Sequence, residues 1–222
     1  MTTPDLQLRT LYVLDDLGRL VSTREPGAHR PPSFALIRGG GTLAWAVRND
    51  IPAEIVAELD EFARAEPTDK MERDPVNAER YLSLVGGHRI ESGPAFGFPD
   101  SVGRPEGVVL VQDPALLTGE ISDLADEIDG RAPVLAILDD DRAVSVCHCA
   151  RRSDKAAEAG LYTLEDYRGS GLGPRVTAAW CHAIRGSGRI PLYSTSWRNA
   201  ASRSVARKLG LRMYATDWSL YE

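Results

Sequence analysis

Apolar positions change their spacing along the chain, and the changes predict its elements. Residues 34–38 and 43–47 read as short strands. Residues 52–65 place Ile55, Val56, Leu59 and Phe62 on one helical face, with Pro52 tolerated in the first turn. A second helix is expected over 75–85. Gly, Pro and Ser then dominate 86–105, which predicts a boundary between a region 1–105 and a region 106–222. Beyond it, 107–111 reads as a buried strand and 114–128 as a helix. Residues 133–138 and 143–150 form a hairpin turning at Asp139, Asp140 and Asp141. A strand over 157–164 runs into the glycine-rich stretch 167–173. The following helix carries Leu172, Val176, Ala179, Trp180 and Ala183 on one face and stops at Gly186-Ser187-Gly188. Residues 190–196 are the next strand. Asn199 caps a last helix with Ala201, Val205 and Leu209 inward and Gly210 at its stop, and 211–221 closes the order with one or two strands. This alternation predicts a mixed α/β sheet with helices on its faces.

Composition narrows the classes of function. The 222 residues include 26 Lys plus Arg and 32 Asp plus Glu, for a net charge of −6. That balance argues against a general nucleic-acid binder. The longest apolar stretch, 132–138, has seven residues including Pro133, far short of the roughly 20 that a spanning helix needs. The first ten residues lack the apolar core of a signal peptide, and three cysteines, Cys147, Cys149 and Cys181, do not make a disulfide framework. The expectation is a cytoplasmic protein that binds neither membrane nor nucleic acid.

Charge is unevenly placed. Residues 168–212 hold nine cations and no acid, leaving 17 cations against 32 acids elsewhere, a net of −15. A segment at +9 within an acidic chain suits a multiply charged anion, while arginines that face solvent or pair with distant acids are the plainer account of the charge alone.

Within that segment, Arg168, Gly171 and Gly173 stand at the spacing R-x-x-G-x-G between a strand and a helix. Glycines there let a ligand approach the backbone, and the helix N-terminus adds partial positive charge, an arrangement that suits pyrophosphate, although tight strand-to-helix connections also use glycine for steric reasons alone. Neither the Walker loop nor the dinucleotide fingerprint has this spacing. Together, Leu161-Tyr162-Thr163, the run from Tyr167 to Gly173, and Asn199-Ala200-Ala201-Ser202 leading to Lys208-Leu209-Gly210-Leu211 resemble the GNAT superfamily of acyl-CoA-dependent N-acetyltransferases. The resemblance covers 106 to about 221. It implies a GNAT-like α/β fold: a mixed, mostly antiparallel twisted sheet flanked by helices and splayed between two strands, with an α+β region in front. The first half carries no motif and is expected to supply an acceptor pocket, a homodimer surface or both.

The same resemblance implies the site. Arg168 with the turn amides of Gly169, Ser170, Gly171, Leu172 and Gly173 would hold the pyrophosphate of acetyl-CoA. Leu161 and Thr163 would offer backbone groups to pantetheine and thioester. Asn199 and Ser202 would face the same cleft, and Tyr193, Ser194, Ser196 and Trp197 lie where acceptors often bind. One departure stands out: where many relatives carry a tyrosine seven residues after this asparagine, Ala206 is found. The expected activity is transfer of an acetyl group to a primary amine of a small-molecule acceptor by direct attack, without a metal. The alternative is a catalytically silent acyl-CoA-binding sensor or assembly module.

Other candidate chemistry follows from the residues themselves. Glu158, at the start of the strand that would deliver the thioester, is the candidate general base, with a salt-bridged structural role as the competing account. Cys147-His148-Cys149 alternate across a strand and cannot close one metal site without a bulge. The three aspartates at 139–141 are explained by turn chemistry.

Overall fold

The computed structural model describes all 222 residues, which divide into two compact units. One comprises Met1–Phe96, Ser194–Ala200 and Met213–Glu222; the other comprises Gly97–Tyr193 and Ala201–Arg212. No helix is long and apolar enough to cross a membrane.

The first unit starts with α1 (Pro4–Leu11), unanticipated in the sequence reading. The Thr3 hydroxyl accepts from the Leu6 amide at 3.2 Å and Pro4 sits in the first turn, so the helix begins with standard capping. A small antiparallel pair follows, β1 (Tyr12–Leu14) with β2 (Leu20–Thr23). β3 (Phe34–Gly39) then pairs with β4 (Thr42–Val47), and all six β3 residues are buried because both of its faces are covered. Ala35 and Ile37 pack with Leu8, Leu11 and Tyr12 around α1. Phe34 and Leu36 pack on the opposite face with Leu59, Ala63, Tyr81 and Trp218. The helices on that side are α2 (Ala53–Arg64) and α3 (Ala78–Val85), the latter three residues later than its expected start.

Residues 86–105 are not simply a linker, for they contain β5 (Arg89–Gly97). Gly93 and Pro94 disguise it. A Cβ on Gly93 would fall 1.7 Å from the Thr195 carbonyl oxygen, while Thr195 and Trp197 amides donate to Pro94 and Ser92 at 3.2 Å. Glycine is there because another backbone runs too close for a side chain.

Within the second unit, β6 (Val109–Leu110) is a two-residue edge strand whose side chains are 40% and 53% exposed, not the buried strand expected over 107–111. The helix expected over 114–128 is broken into two single 3-10 turns and the one-turn α4 (Asp123–Asp126). Gly119 at φ +66° interrupts it, Asp113 caps Ala115 at 2.9 Å, and the Ser122 hydroxyl donates to the Gly119 carbonyl at 2.8 Å. Local capping by small polar side chains beats a helix with few apolar anchors. The remaining elements match the sequence pattern: β7 (Leu135–Asp139), β8 (Arg142–Arg152), β9 (Ala156–Thr163), α5 (Leu172–Gly186), β10 (Ile190–Ser194) and α6 (Ala200–Lys208), with β11 (Arg212–Tyr221) returning to pair with β3. Strands in this unit run in the order β10-β9-β8-β7-β6, and only β10 and β9 are parallel. The fold is thus α/β with a mostly antiparallel sheet flanked by helices.

Candidate active site

The parallel pair β9 and β10 forks. Ile190, Pro191 and Leu192 pair with Ala156, Ala157 and Glu158, and the ladder ends there. On its other side β9 stays paired with β8 as far as Thr163. Residues 159–163 therefore have one ladder instead of two, and the backbone groups that point toward β10 face an opening. Buried backbone groups need partners, so such an opening is a natural place for an extended ligand.

Strand alternation divides the walls. Leu161 and Thr163 point to the α5 side: a Cβ on Gly173 would lie 3.4 Å from Leu161 Cδ2, 3.8 Å from Thr163 Oγ1 and 3.6 Å from Val205 Cγ2 of α6. Glu158, Gly160 and Tyr162 point to the other side.

The glycine-rich turn closes the top of β9. Gly169 and Gly171 have φ of +81° and +84°, a region costly for residues with a Cβ, and Gly171 immediately precedes α5. No side chain caps that helix, so its first amides stay open toward the turn. The Ser170 hydroxyl donates to the Tyr167 carbonyl and holds the turn from within. Arg168 folds back on β9, where its Nε donates to the Thr163 carbonyl at 3.1 Å and its guanidinium stands 5.9 Å above the Tyr162 ring. Leu172 and Gly173 form the first turn of α5. Asn199 directly precedes α6 and is exposed, in the segment of the first unit; its amide donates to the Ser196 carbonyl at 3.1 Å.

Ser202 lies on α6, three residues before Val205 and hence on the same helical face. Its Oγ is 2.7 Å from the Tyr193 hydroxyl. Tyr193 is the first β10 residue beyond the last pair with β9. Burial pushes its phenol up to about 12, with Ser202 opposing the shift.

Glu158 is 2% exposed and its Oε2 accepts from Arg151 at 3.3 Å. It stands at the closed end of the fork. On the same face, Tyr162 donates its phenolic hydrogen to Glu120, which together with burial raises its pKa. Between them His148 is 8% exposed, its ring filling the space beside Gly160, and its Nδ1 has no hydrogen-bond partner. Desolvation, with Arg131 nearby, lowers the His148 pKa to about 4. Cys147 and Cys149 are buried on the opposite face from His148, and burial raises both thiols.

Several cations of the +9 segment are committed to a loop. Arg175 donates to the Glu106 carbonyl at 2.7 Å, Arg185 to the Pro99 and Asp100 carbonyls at 2.6 and 2.9 Å, and His182 Nε2 meets the Val102 carbonyl at 2.9 Å. These three side chains of α5 strap down residues 99–106. Arg189 likewise donates to the Ser153 carbonyl at 3.1 Å. Sequence reasoning missed this use because backbone acceptors leave no charge pattern to read.

Residues 134–221 match the family model of the GNAT acetyltransferases. An uncharacterized N-acetyltransferase of Bacillus subtilis, YdfB, is 31% identical over 86 residues, which is 39% of this chain and 33% of that protein; the chain thus spans about a third of the length of this curated relative. Among solved structures, a GCN5-related N-acetyltransferase-like protein from Streptococcus suis superposes with a TM-score of 0.50 at 19% identity, covering 85% of this chain and 84% of that one. A GCN5-related N-acetyltransferase from Kribbella flavida gives 0.50 at 17%, over 98% and 93%. At these identities the solved structures speak to the fold alone, while the sequence match speaks to the C-terminal part. Over residues 134–221 the chain is thus similar to the GNAT acetyltransferases.

Proposed function

We propose that this part of the chain transfers an acetyl group from acetyl-CoA to a primary amine of a small-molecule acceptor, by direct attack of the amine on the thioester. The observation that carries the reading is the fork: a strand stripped of one ladder over 159–163, beside a helix N-terminus entered through two glycines in left-handed conformation. The residues fit the cosubstrate. Uncapped amides at Gly171, Leu172 and Gly173, with Gly169 and Ser170 before them, suit a pyrophosphate, and the missing side chain of Gly173 leaves a cradle against Leu161 and Thr163. Arg168 swings from the Thr163 carbonyl to a phosphate oxygen, releasing that carbonyl to pantetheine. Backbone amides at the fork stabilise the developing oxyanion.

In this reading Glu158 removes the amine proton. It lies three to five residues below Leu161 and Thr163, roughly 10–17 Å along the strand, so the proton reaches it through water and not by direct contact. The reading sets the protein in the cytoplasm, where acetyl-CoA is available.

A second reading rests on two observations, the Glu158–Arg151 ion pair and the alanine at 206: an acyl-CoA-binding module that does not turn over. An amine panel with acetyl-CoA, followed by release of free thiol, decides between them. Thiol release dependent on one class of amine supports the transferase. Saturable acetyl-CoA binding without release for any amine supports the silent module, and absence of binding overturns both.

A further inference from the structure

Breaking a thioester leaves a thiolate, and Ala206, 1% exposed against the core, offers it nothing. The fork nevertheless holds a hydroxyl pair on the α5 side. Tyr193 is the first residue of β10 past the branch point, and by alternation it points to the same side as Leu161 and Thr163. Its ring is buried, 2% exposed, and its hydroxyl lies 2.7 Å from Ser202 Oγ and 3.4 Å from the Ser202 carbonyl. Ser202 shares its helical face with Val205, the residue of α6 that approaches Gly173 beside Leu161 and Thr163. Ser202 thus stands between a buried phenol and the open wall of the fork.

From this juxtaposition we infer that Ser202 donates a hydrogen bond to the leaving sulfur of the thioester, with Tyr193 polarising the serine hydroxyl from behind. Ser202 is the catalytic residue of the pair and Tyr193 its positioning residue. The inference rests on the proposed acetyl-CoA site. As the amine nitrogen bonds to the acetyl carbon, the carbon–sulfur bond breaks and its electron pair stays on sulfur. Tyr193 donates to Ser202 Oγ, and the Ser202 hydrogen points to the thiolate. No proton leaves the pair: a phenol pushed up to about 12 holds its hydrogen far more tightly than a thiol with a pKa near 8.5. The thiolate takes its proton from water after release. A relay of two neutral hydroxyls is a chain in which each bond strengthens the next, and a hydrogen bond to an ion is among the strong ones. The Tyr193–Ser202 contact thereby does more than satisfy two hydroxyls at the edge of a core.

The test reads the thiol of bound CoA without any turnover. Full-length protein saturated with CoA is titrated with base while the ultraviolet absorbance of the thiolate is followed, alongside free CoA. The wild-type complex should show a thiol pKa about one unit below that of free CoA, the shift expected from a single charge-assisted hydrogen bond. Ser202→Ala should return the value to that of free CoA, and Tyr193→Phe, which cannot touch the sulfur, should return it at least halfway. Equal thiol pKa values for CoA bound to wild type and to both variants would overturn the relay while leaving the cosubstrate site standing. Failure of the wild-type protein to bind CoA at all would overturn the site and the relay together.

Discussion

The imidazole of His148 occupies the volume that a side chain at Gly160 would take: a Cβ there would come within 2.4 Å of the His148 ring. The two are cross-strand partners on β8 and β9, two residues past the last pair of the fork. Gly160→Ala should therefore destabilise the protein by about 1–3 kcal/mol, the usual cost of overpacking a well-filled site. Adding His148→Ala should recover part of that loss, since the double variant removes the clash. Urea unfolding of the four proteins gives the coupling; strictly additive losses would show that the ring moves aside freely.

The same histidine makes stability depend on pH. Desolvation lowers its folded pKa to about 4, against about 6.5 when unfolded. As pH falls through 6.5 the unfolded chain takes up a proton that the folded chain refuses, so stability drops between about 6.5 and 4 and levels off below. From pH 7 to 5 the loss assigned to this group is about 2 kcal/mol. His148→Gln should flatten that part of the profile; an unchanged slope in urea midpoints would place the titration elsewhere.

How much of this was legible in the sequence depended on whether the signal was periodic or steric. β9, α5, α6 and the glycine turn announced themselves through apolar spacing and glycine positions, and the structure keeps them nearly residue for residue. β5 was hidden by Gly93 and Pro94, which read as loop yet answer to the close passage of 195–197. The helix expected over 114–128 failed because Gly119 and the local caps of Asp113 and Ser122 outweigh a thin apolar stripe. Around the site, Arg168 and the glycines were visible, whereas the Tyr193–Ser202 pair and the His148–Gly160 fit were not. Both join residues by contact across elements, and no spacing rule encodes that.

The strap on α5 is open to a direct check. Arg185→Ala removes two hydrogen bonds to the 99–100 carbonyls, and His182→Ala removes the Nε2 contacts with the 102 and 103 carbonyls. The double variant should lose roughly 1–3 kcal/mol of local stability, read as faster amide exchange confined to residues 99–106. Unchanged exchange there would mean that the loop is held by other contacts.

Glu158→Gln keeps size and removes charge. If Glu158 accepts the amine proton, turnover should fall by about 10² at neutral pH and recover at alkaline pH where free amine is abundant, with acetyl-CoA affinity preserved. Its partner tests the structural alternative. Arg151→Ala should reproduce any loss that comes only from breaking the ion pair, so equal effects of both substitutions on urea stability with full turnover would return Glu158 to a structural role.

Cutting the chain at 105 is a poor way to isolate the part matched by the family model, because β11 pairs with β3 and carries Trp218 and Leu220 into the first unit's core. Residues 106–222 alone should expose those side chains and aggregate, as followed by light scattering. A soluble, monodisperse fragment would show that β11 is dispensable.

In the proposed function the turn before α5 holds acetyl-CoA. Calorimetric titration of the full chain with acetyl-CoA, beside Gly171→Phe, tests it most directly. A Cβ at Gly171 meets nothing within 4 Å, so the variant pays only the left-handed backbone cost of about 1–2 kcal/mol and should stay folded while its side chain blocks the open amides. Saturable binding by the wild-type protein and a loss of at least about 10²-fold in the folded variant is the predicted result, equivalent to about 2.7 kcal/mol of binding energy. Equal affinity for the two proteins, or no binding by either, would contradict the account.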